Sequence, residues 1–295
     1  MQTYLDCIPC FFRQGLAESR LEGANEAEQK LLIDRIAMLI PELPVHATPP
    51  EMALTVHRLI REIINNSDPF KEIKKKCNDE ALALYPVFKK RMEESENPLL
   101  TAVELSIAGN IIDYGANTDL DLQRELDTLL EQEESRIGKE SERLFAFSAF
   151  RDAVEKGKQV LIIGDNAGEI VFDRFLIQAI KSINKEAAVT YAVRKEPIIN
   201  DVTMEDAFYA GIDKEAEIVS SGCPAPGTIL SLCSPEFLTL FKNADIVISK
   251  GQGNFEGLSD EDREIFFLFR AKCQVIAREV EGDVGDFILY HGKEK

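Results

Sequence analysis

The chain is poor in the features that would place it in a membrane, on nucleic acid or around a structural zinc ion. No stretch of its 295 residues approaches the ~18 uncharged apolar residues of a membrane span. The opening MQTYLDCIPCFFRQ has neither a basic start nor a long apolar stretch, so it does not read as a secretory signal, and a cytoplasmic protein is expected. Positive charge is short: 34 Lys and Arg stand against 52 Asp and Glu, a net charge of -18. Such a surface repels phosphate backbones, which argues against a nucleic-acid partner. A small phosphate can still be held where a metal or a local lysine cluster reverses the field. Histidine is scarce, and His46, His57 and His291 lie outside every motif below, so they read as surface or packing residues. Of six cysteines only Cys7 and Cys10 form a CxxC pair, and the second pair that a four-ligand structural zinc site uses is missing. The pair opens the chain beside a helical pattern, FFRQGL, and does not follow a strand as a thioredoxin motif would. Packing or helix-start thiols and an auxiliary metal or redox role both stay open, while a stable disulfide is not expected in a reducing compartment. Internal repeats and low-complexity segments are absent as well.

What is present is a 45% hydrophobic chain with two rhythms. Up to residue 146 the segments LLIDRIAMLI, MALTVHRLIREIINN, DEALALYPVFKKRMEE and LLTAVELSIAGNIIDYG carry apolar residues at i, i+3, i+4 and i+7. The breakers PELPVHATPP, NNSDPF and ENP separate them. A charged amphipathic helix region follows across residues 117–147, its charges forming a solvated face. Lys74 to Lys76 read as a solvated basic face too. From about residue 158 six short β-rich runs appear: KQVLIIG, AAVTYAV, AEIVSS, ADIVISK, IFFLFRA and GDFILY. Each is largely apolar rather than alternating, as strands covered on both faces are. Helical signals alternate with them. Ser234 and Pro235 suit a helix start, and Thr203 with Asp206 are spaced as a capping pair. The expected architecture is α/β: a helical domain over 1–146, then a Rossmann-like three-layer domain over 147–295 with a mostly parallel sheet.

The chemistry gathers at the strand ends. After the first strand the turn reads GDNAGE, where a dinucleotide-binding turn would read GxGxxG; the second strand ends in Arg194 and not in a ribose-binding acid. Asp165 and Asn166 are hard oxygen donors of the kind that suit Mg²⁺ or Mn²⁺, ions that keep several waters. Capping of the helix that starts near Gly168 is the alternative reading of the same pair. A third ligand is expected from a neighbouring strand end, and Asp201 is the candidate. After the fourth strand come Lys250, Gly251, Gln252, Gly253 and Asn254, a lysine and two glycines suited to a phosphate or simply forming a glycine-rich turn; the Walker A order is absent. Lys272 follows the fifth strand. In AGNIIDYG, Asn110 and Asp113 share one helix face, either as polar edges of a core helix or as a lid that selects the substrate. Acids at strand ends also suit an S-adenosylmethionine-dependent carboxyl methyltransferase, which Arg194 argues against, and a metabolite-binding module without turnover is a further alternative.

In their order along the chain, DCIPC, AGNIIDYG, GDNAGEIVFD, RKEPIINDVTMEDA and SKGQGNFEG resemble the damage-control phosphatase family of metal-dependent phosphatases. The similarity spans nearly the whole sequence and is closest to the prokaryotic branch that carries the N-terminal CxxC, matched here by Cys7 and Cys10. It implies a divalent metal on Asp165, Asn166 and Asp201, with Mg²⁺, Mn²⁺, Co²⁺ and Ni²⁺ as the candidate ions. It implies a substrate phosphate on Lys250 to Asn254 and on Lys272, the latter in FRAK where other branches have RTxK. Glu169 and Arg194 fall in matching motifs as pocket residues. The implied reaction is hydrolysis of small phosphorylated metabolites, such as sugar phosphates or damaged cofactor phosphates, with Asp165 or Glu169 taking the proton of the attacking water.

Overall fold

The structure is a computed structural model and describes residues 1–42, 44, 46–64, 66–111, 126–128 and 143–292. The charged helix expected over 117–147 falls largely outside them, and so does Asp113. All six expected strands form: β1 (Gln159–Ile163), β2 (Ala188–Val193), β3 (Glu217–Ser220), β4 (Ile246–Lys250), β5 (Ile265–Arg270) and β6 (Phe287–Gly292). They make one sheet in the order β3-β2-β1-β4-β5-β6. Every pairing is parallel except β5 with β6, which is antiparallel. The chain starts in the middle at β1, builds outward to β3, then returns to lay β4 on the other side of β1. The carboxyl ends of β1 and β4 therefore flank a topological switch point, where α/β sheets open a crevice for ligands.

Strand geometry sends alternate side chains to opposite faces, and both faces here are apolar. Val160, Ile162, Ile246, Ile248, Phe266 and Leu268 enter one core; Leu161, Ile163, Val247, Ile265, Phe267 and Phe269 enter the other. The first core is covered by α7 (Glu169–Ile183) together with α4 (Lys71–Glu94) and α5 (Pro98–Ala108). The second is covered by α9 (Pro235–Asn243), α10 (Gln252–Leu258) and α11 (Gln274–Val280). Ser234 caps α9 as expected, its hydroxyl accepting from the Phe237 amide at 3.1 Å with Pro235 behind it. Thr203 and Asp206 form the expected capping pair at the start of α8 (Met204–Ala210).

The packing does not respect a boundary at residue 146. Cys77, Ala81, Phe88, Val103 and Ala108 of α4 and α5 share one core with Ile170, Phe172 and Phe175 of α7 and with the strands. Among the described residues, α1 (Ile8–Leu21), α2 (Glu26–Leu39) and α3 (Pro49–Ile64) close a core of their own, around Phe11, Leu32, Ile36, Met52, Val56 and Ile60. Helical periodicity marks which segments are helices but not which layer they join. α6 (Phe147–Lys156) runs into β1. No helix of the described residues is long and apolar enough to cross a membrane.

Candidate active site

The turn after β1 and the segment after β2 are stitched together by backbone. Asn166 and Asp201 form an isolated antiparallel bridge, the Val202 amide donates to the Asp165 carbonyl at 2.8 Å, and the Ala167 amide donates to the Asn200 carbonyl at 2.9 Å. Asp165, Asn166 and Asp201 thereby become neighbours, all buried. Ile199, two residues before Asp201, has a φ of 45°. A β-branched residue in the left-handed region is strained, and such strain clusters where a site over-determines its backbone. The Asn166 amide nitrogen donates to Asp165 Oδ2 at 2.6 Å, and Arg194 Nε donates to Asp201 Oδ2 at 2.7 Å. Burial first, then the charges of Asp201 and Glu169, push the Asp165 carboxyl well above its ordinary range. Burial likewise raises Asp201, against the pull of Arg194. Two carboxyl groups and a carboxamide at one buried spot are the donor set a hard divalent cation accepts. Among the described residues no group of three or more His, Cys, Asp or Glu gathers for a metal, and this site too offers only two acids beside its amide.

The β4 loop approaches this trio through glycine. Gly251 has a φ of 79°, and a Cβ there would lie 1.9 Å from Asp165 Oδ2. Only a residue without a side chain lets the β4 turn press on the carboxylate.

Lys250 departs from the expectation. It is fully buried, and its ammonium donates to Glu169, to Asp173 Oδ1 at 2.8 Å and to the Ser106 carbonyl at 2.8 Å. Three acceptors match the three protons of an ammonium, so none is left for an anion cradle. The partners extend the network: Asn110 Nδ2 donates to Glu169 Oε2 at 2.7 Å, while Ser106 and Tyr191 each donate to Asp173 at 2.6 Å. Glu169, expected as a proton acceptor, thus has both oxygens engaged, and Asn110 is tied to it instead of facing a substrate. The reason is depth, because the end of β4 lies beneath α5 and α7. Arg194 and Asn254 are similarly committed. Arg194 binds Thr228 Oγ1 at 3.0 Å and Asn254 Oδ1 at 2.9 Å besides Asp201, and Asn254 Nδ2 binds the Lys250 carbonyl at 2.7 Å and the Gly164 carbonyl at 3.1 Å. Both brace the loops from behind. A Cβ on Gly253 would lie 2.7 Å from the Pro226 carbonyl oxygen, so this glycine serves loop packing.

Of the expected cations, Lys272 alone is exposed, and its charge acts on both Asp165 and Asp201. Gln252 positions its segment: the Lys272 amide donates to Gln252 Oε1 at 3.0 Å, and Gln252 Nε2 donates to Glu256 Oε1 at 2.8 Å. Burial holds the Glu256 carboxyl up to about 7, against opposing effects from Gln252, the N-terminal amine and Lys272. Between the ordinary value of 4.5 and about 7 the unfolded chain has lost a proton that the folded chain keeps, so stability falls as pH rises through that window and then levels off. Glu256→Gln is expected to be nearly neutral at acid pH and stabilising above the window by on the order of 1–3 kcal/mol. Melting temperatures of both proteins across pH check this, and parallel curves would refute it.

Other expectations shift. Lys74 is not on a solvated face: it is buried and pairs with Asp206 at 3.2 Å and Asp68 at 3.3 Å, fastening α4 to the capped start of α8. Cys7 and Cys10 are free thiols, and burial pushes the Cys7 thiol up, away from a reactive thiolate. Residues to which the sequence reading gave no role include Asp173, the last residue of GDNAGEIVFD, with Tyr191, Thr228 and Asn78. Asn78 Oδ1 accepts from the Gly168 amide at 2.8 Å, which leaves its buried Nδ2 without a partner among the described residues. Sequence periodicity puts Asp173 on the apolar face of α7 with Ile170 and Ile177, and an acid on such a face was the available signal.

Comparison with known proteins follows the same line. The sequence model of the damage-control phosphatase ARMT1-like domain matches residues 3–288. The chain is 32% identical to a damage-control phosphatase of Pyrococcus horikoshii over the full length of both, and 34% identical to a damage-control phosphatase of Archaeoglobus fulgidus over 96% of each. The crystal structure of a DUF89 family protein from Pyrococcus horikoshii superposes with a TM-score of 0.88 at 30% identity, covering 99% of this chain and all of the other. With its fold and nearly its whole length matched, the chain belongs to the damage-control phosphatase ARMT1-like family.

Proposed function

We propose that the protein hydrolyses phosphate monoesters of small metabolites, such as sugar phosphates or damaged cofactor phosphates, at a divalent-metal centre held by Asp165, Asn166 and Asp201. The observation that carries this reading is the bridge between Asn166 and Asp201, which brings donors from two strand ends to one buried spot at the switch point. A cation bound there would supply Lewis-acid polarisation of the phosphoryl group and a more acidic water. The chain's own residues do the rest. Arg194 orients Asp201, and Asn166 holds Asp165 Oδ2, so Asp165 Oδ1 is the oxygen that takes the proton of the attacking water. Lys272 meets the negative oxygens of the phosphoryl group in flight. Lys250, Glu169 and Asp173 form a neutralising base beneath the loop. The methyltransferase alternative loses ground because Arg194, at the second strand end, is locked to Asp201.

A panel of phosphorylated metabolites, assayed with Mg²⁺, Mn²⁺, Co²⁺ or Ni²⁺ and with a chelator, tests the proposal. Phosphate release that needs one of these ions is the expected result. Release that survives the chelator, or no release from any ester with any ion, would overturn it.

A further inference from the structure

One buried titratable side chain on the helices above the site is used by nothing described so far. His57 is 2% exposed and sits in α3 beside an otherwise apolar three-helix core. Its Nδ1 lies 2.8 Å from the carboxylate of Glu18, itself 4% exposed on α1. Its Nε2 is buried and has no hydrogen-bond partner among the described residues. Leaving such an atom unmatched costs about 1–3 kcal/mol, and an apolar side chain would fill the slot without that cost. The arrangement makes sense if the partner arrives with a ligand.

The helix face says where the ring sits. Pro50, Leu54, His57 and Arg61 follow one another at i, i+4, i+7 and i+11, one stripe of a helix. Pro50 abuts Gly227, whose added Cβ would lie 2.8 Å from Pro50 Cγ. Leu54 packs with Cys223, Ala225 and Ile229. Arg61 Nη1 donates to the Pro197 carbonyl at 3.2 Å. The stripe thus runs across the carboxyl edge of the sheet, from the loop after β3 to the segment after β2 that carries Asp201, and His57 falls between its two ends. In agreement, the charge of His57 lowers the Asp201 carboxyl, ranking after Arg194 among the groups that do so.

We propose that His57, oriented by Glu18, is the catalytic acid that protonates the departing oxygen of the substrate. This rests on the phosphatase reading above. In the step, the water oxygen bonds to phosphorus while the phosphorus–ester oxygen bond breaks. The ester oxygen leaves with the bonding electron pair and takes the proton from His57 Nε2, while the proton lost by the water goes to Asp165. Afterwards His57 regains a proton from solvent and Asp165 returns one, so the balance is ester plus water giving alcohol plus phosphate. A carboxylate behind an imidazole fixes the ring's orientation and tautomer, the arrangement in which a histidine hands over a proton from its other nitrogen.

Leaving groups separate this role from a structural one. An alkoxide needs the proton, whereas p-nitrophenolate departs without it. Wild type, His57→Gln and Glu18→Gln are to be assayed on a sugar phosphate and on p-nitrophenyl phosphate under the same ion. The expected result is that His57→Gln lowers the ratio of sugar-phosphate to aryl-phosphate kcat about 10²-fold, with Glu18→Gln shifting it the same way by less. The ratio is independent of how much protein is folded. An unchanged ratio, whether both activities fall together or neither falls, would overturn the assignment while leaving the phosphatase reading intact. Failure of the wild type on both esters would instead sink the reading on which it rests.

Discussion

Asp165→Asn is expected to cut phosphate release about 10³-fold and, in chelator, to melt at a higher temperature than the wild type. The two effects share one cause. Asp165 is buried in the field of Asp201 and Glu169, and its carboxyl is pushed well above the ordinary range. The folded protein holds this proton to a higher pH than the unfolded chain does, so the ligand-free fold loses stability as pH rises above the unfolded value. Asparagine keeps the shape and an acceptor for the Asn166 amide and removes the charge. A divalent cation reverses the order: at 100-fold excess over its Kd it stabilises the wild type by about 2.7 kcal/mol, and the variant has lost the charge that binds it. Melting curves with and without Mn²⁺, beside phosphate release, check both halves. A variant less stable than wild type in chelator, or one that turns over normally, would remove Asp165 from the metal centre.

Lys250→Met is expected to cost about 3–5 kcal/mol of stability, read from urea unfolding. The substitution fits the space but leaves Glu169 and Asp173 facing each other without their shared cation, at 0–1% exposure. Replacing the whole cluster, Lys250→Met with Glu169→Gln and Asp173→Asn, is expected to recover most of the loss, because removing all the buried charges together leaves none uncompensated. The contrast matters for function. A lysine on the substrate phosphate would show itself as weakened substrate binding with stability nearly intact, whereas a lysine beneath the loop shows itself in unfolding first. Unchanged stability with a raised KM would return Lys250 to the anion cradle.

What could be read in advance were the features that neighbours a few residues away decide. Six strands announced themselves as apolar runs because both sheet faces are covered, and GDNAGE stood out because its oxygen donors occupy a turn that nucleotide-binding folds leave to glycine. Asp201 followed, since consecutive parallel strands end side by side. The caps at Ser234 and Thr203 are local hydrogen bonds within three residues.

The side-chain partners were different in kind. Lys250 meets Glu169 and Asp173 across separations of 81 and 77 residues, and His57 meets Glu18 across 39. A lysine before glycines looks the same in sequence whether its ammonium turns up to a phosphate or down to two acids. Which way it turns depends on the layer above the sheet, where α4 and α5 join α7, and helical spacing does not encode that choice. The primary structure by itself determined the sheet and the three oxygen donors at its edge, because pleat, turn and cap are short-range. Only tertiary packing decided which charges stay at the open edge of the sheet and which pair with one another underneath, because burial makes an unpaired charge too costly to leave alone.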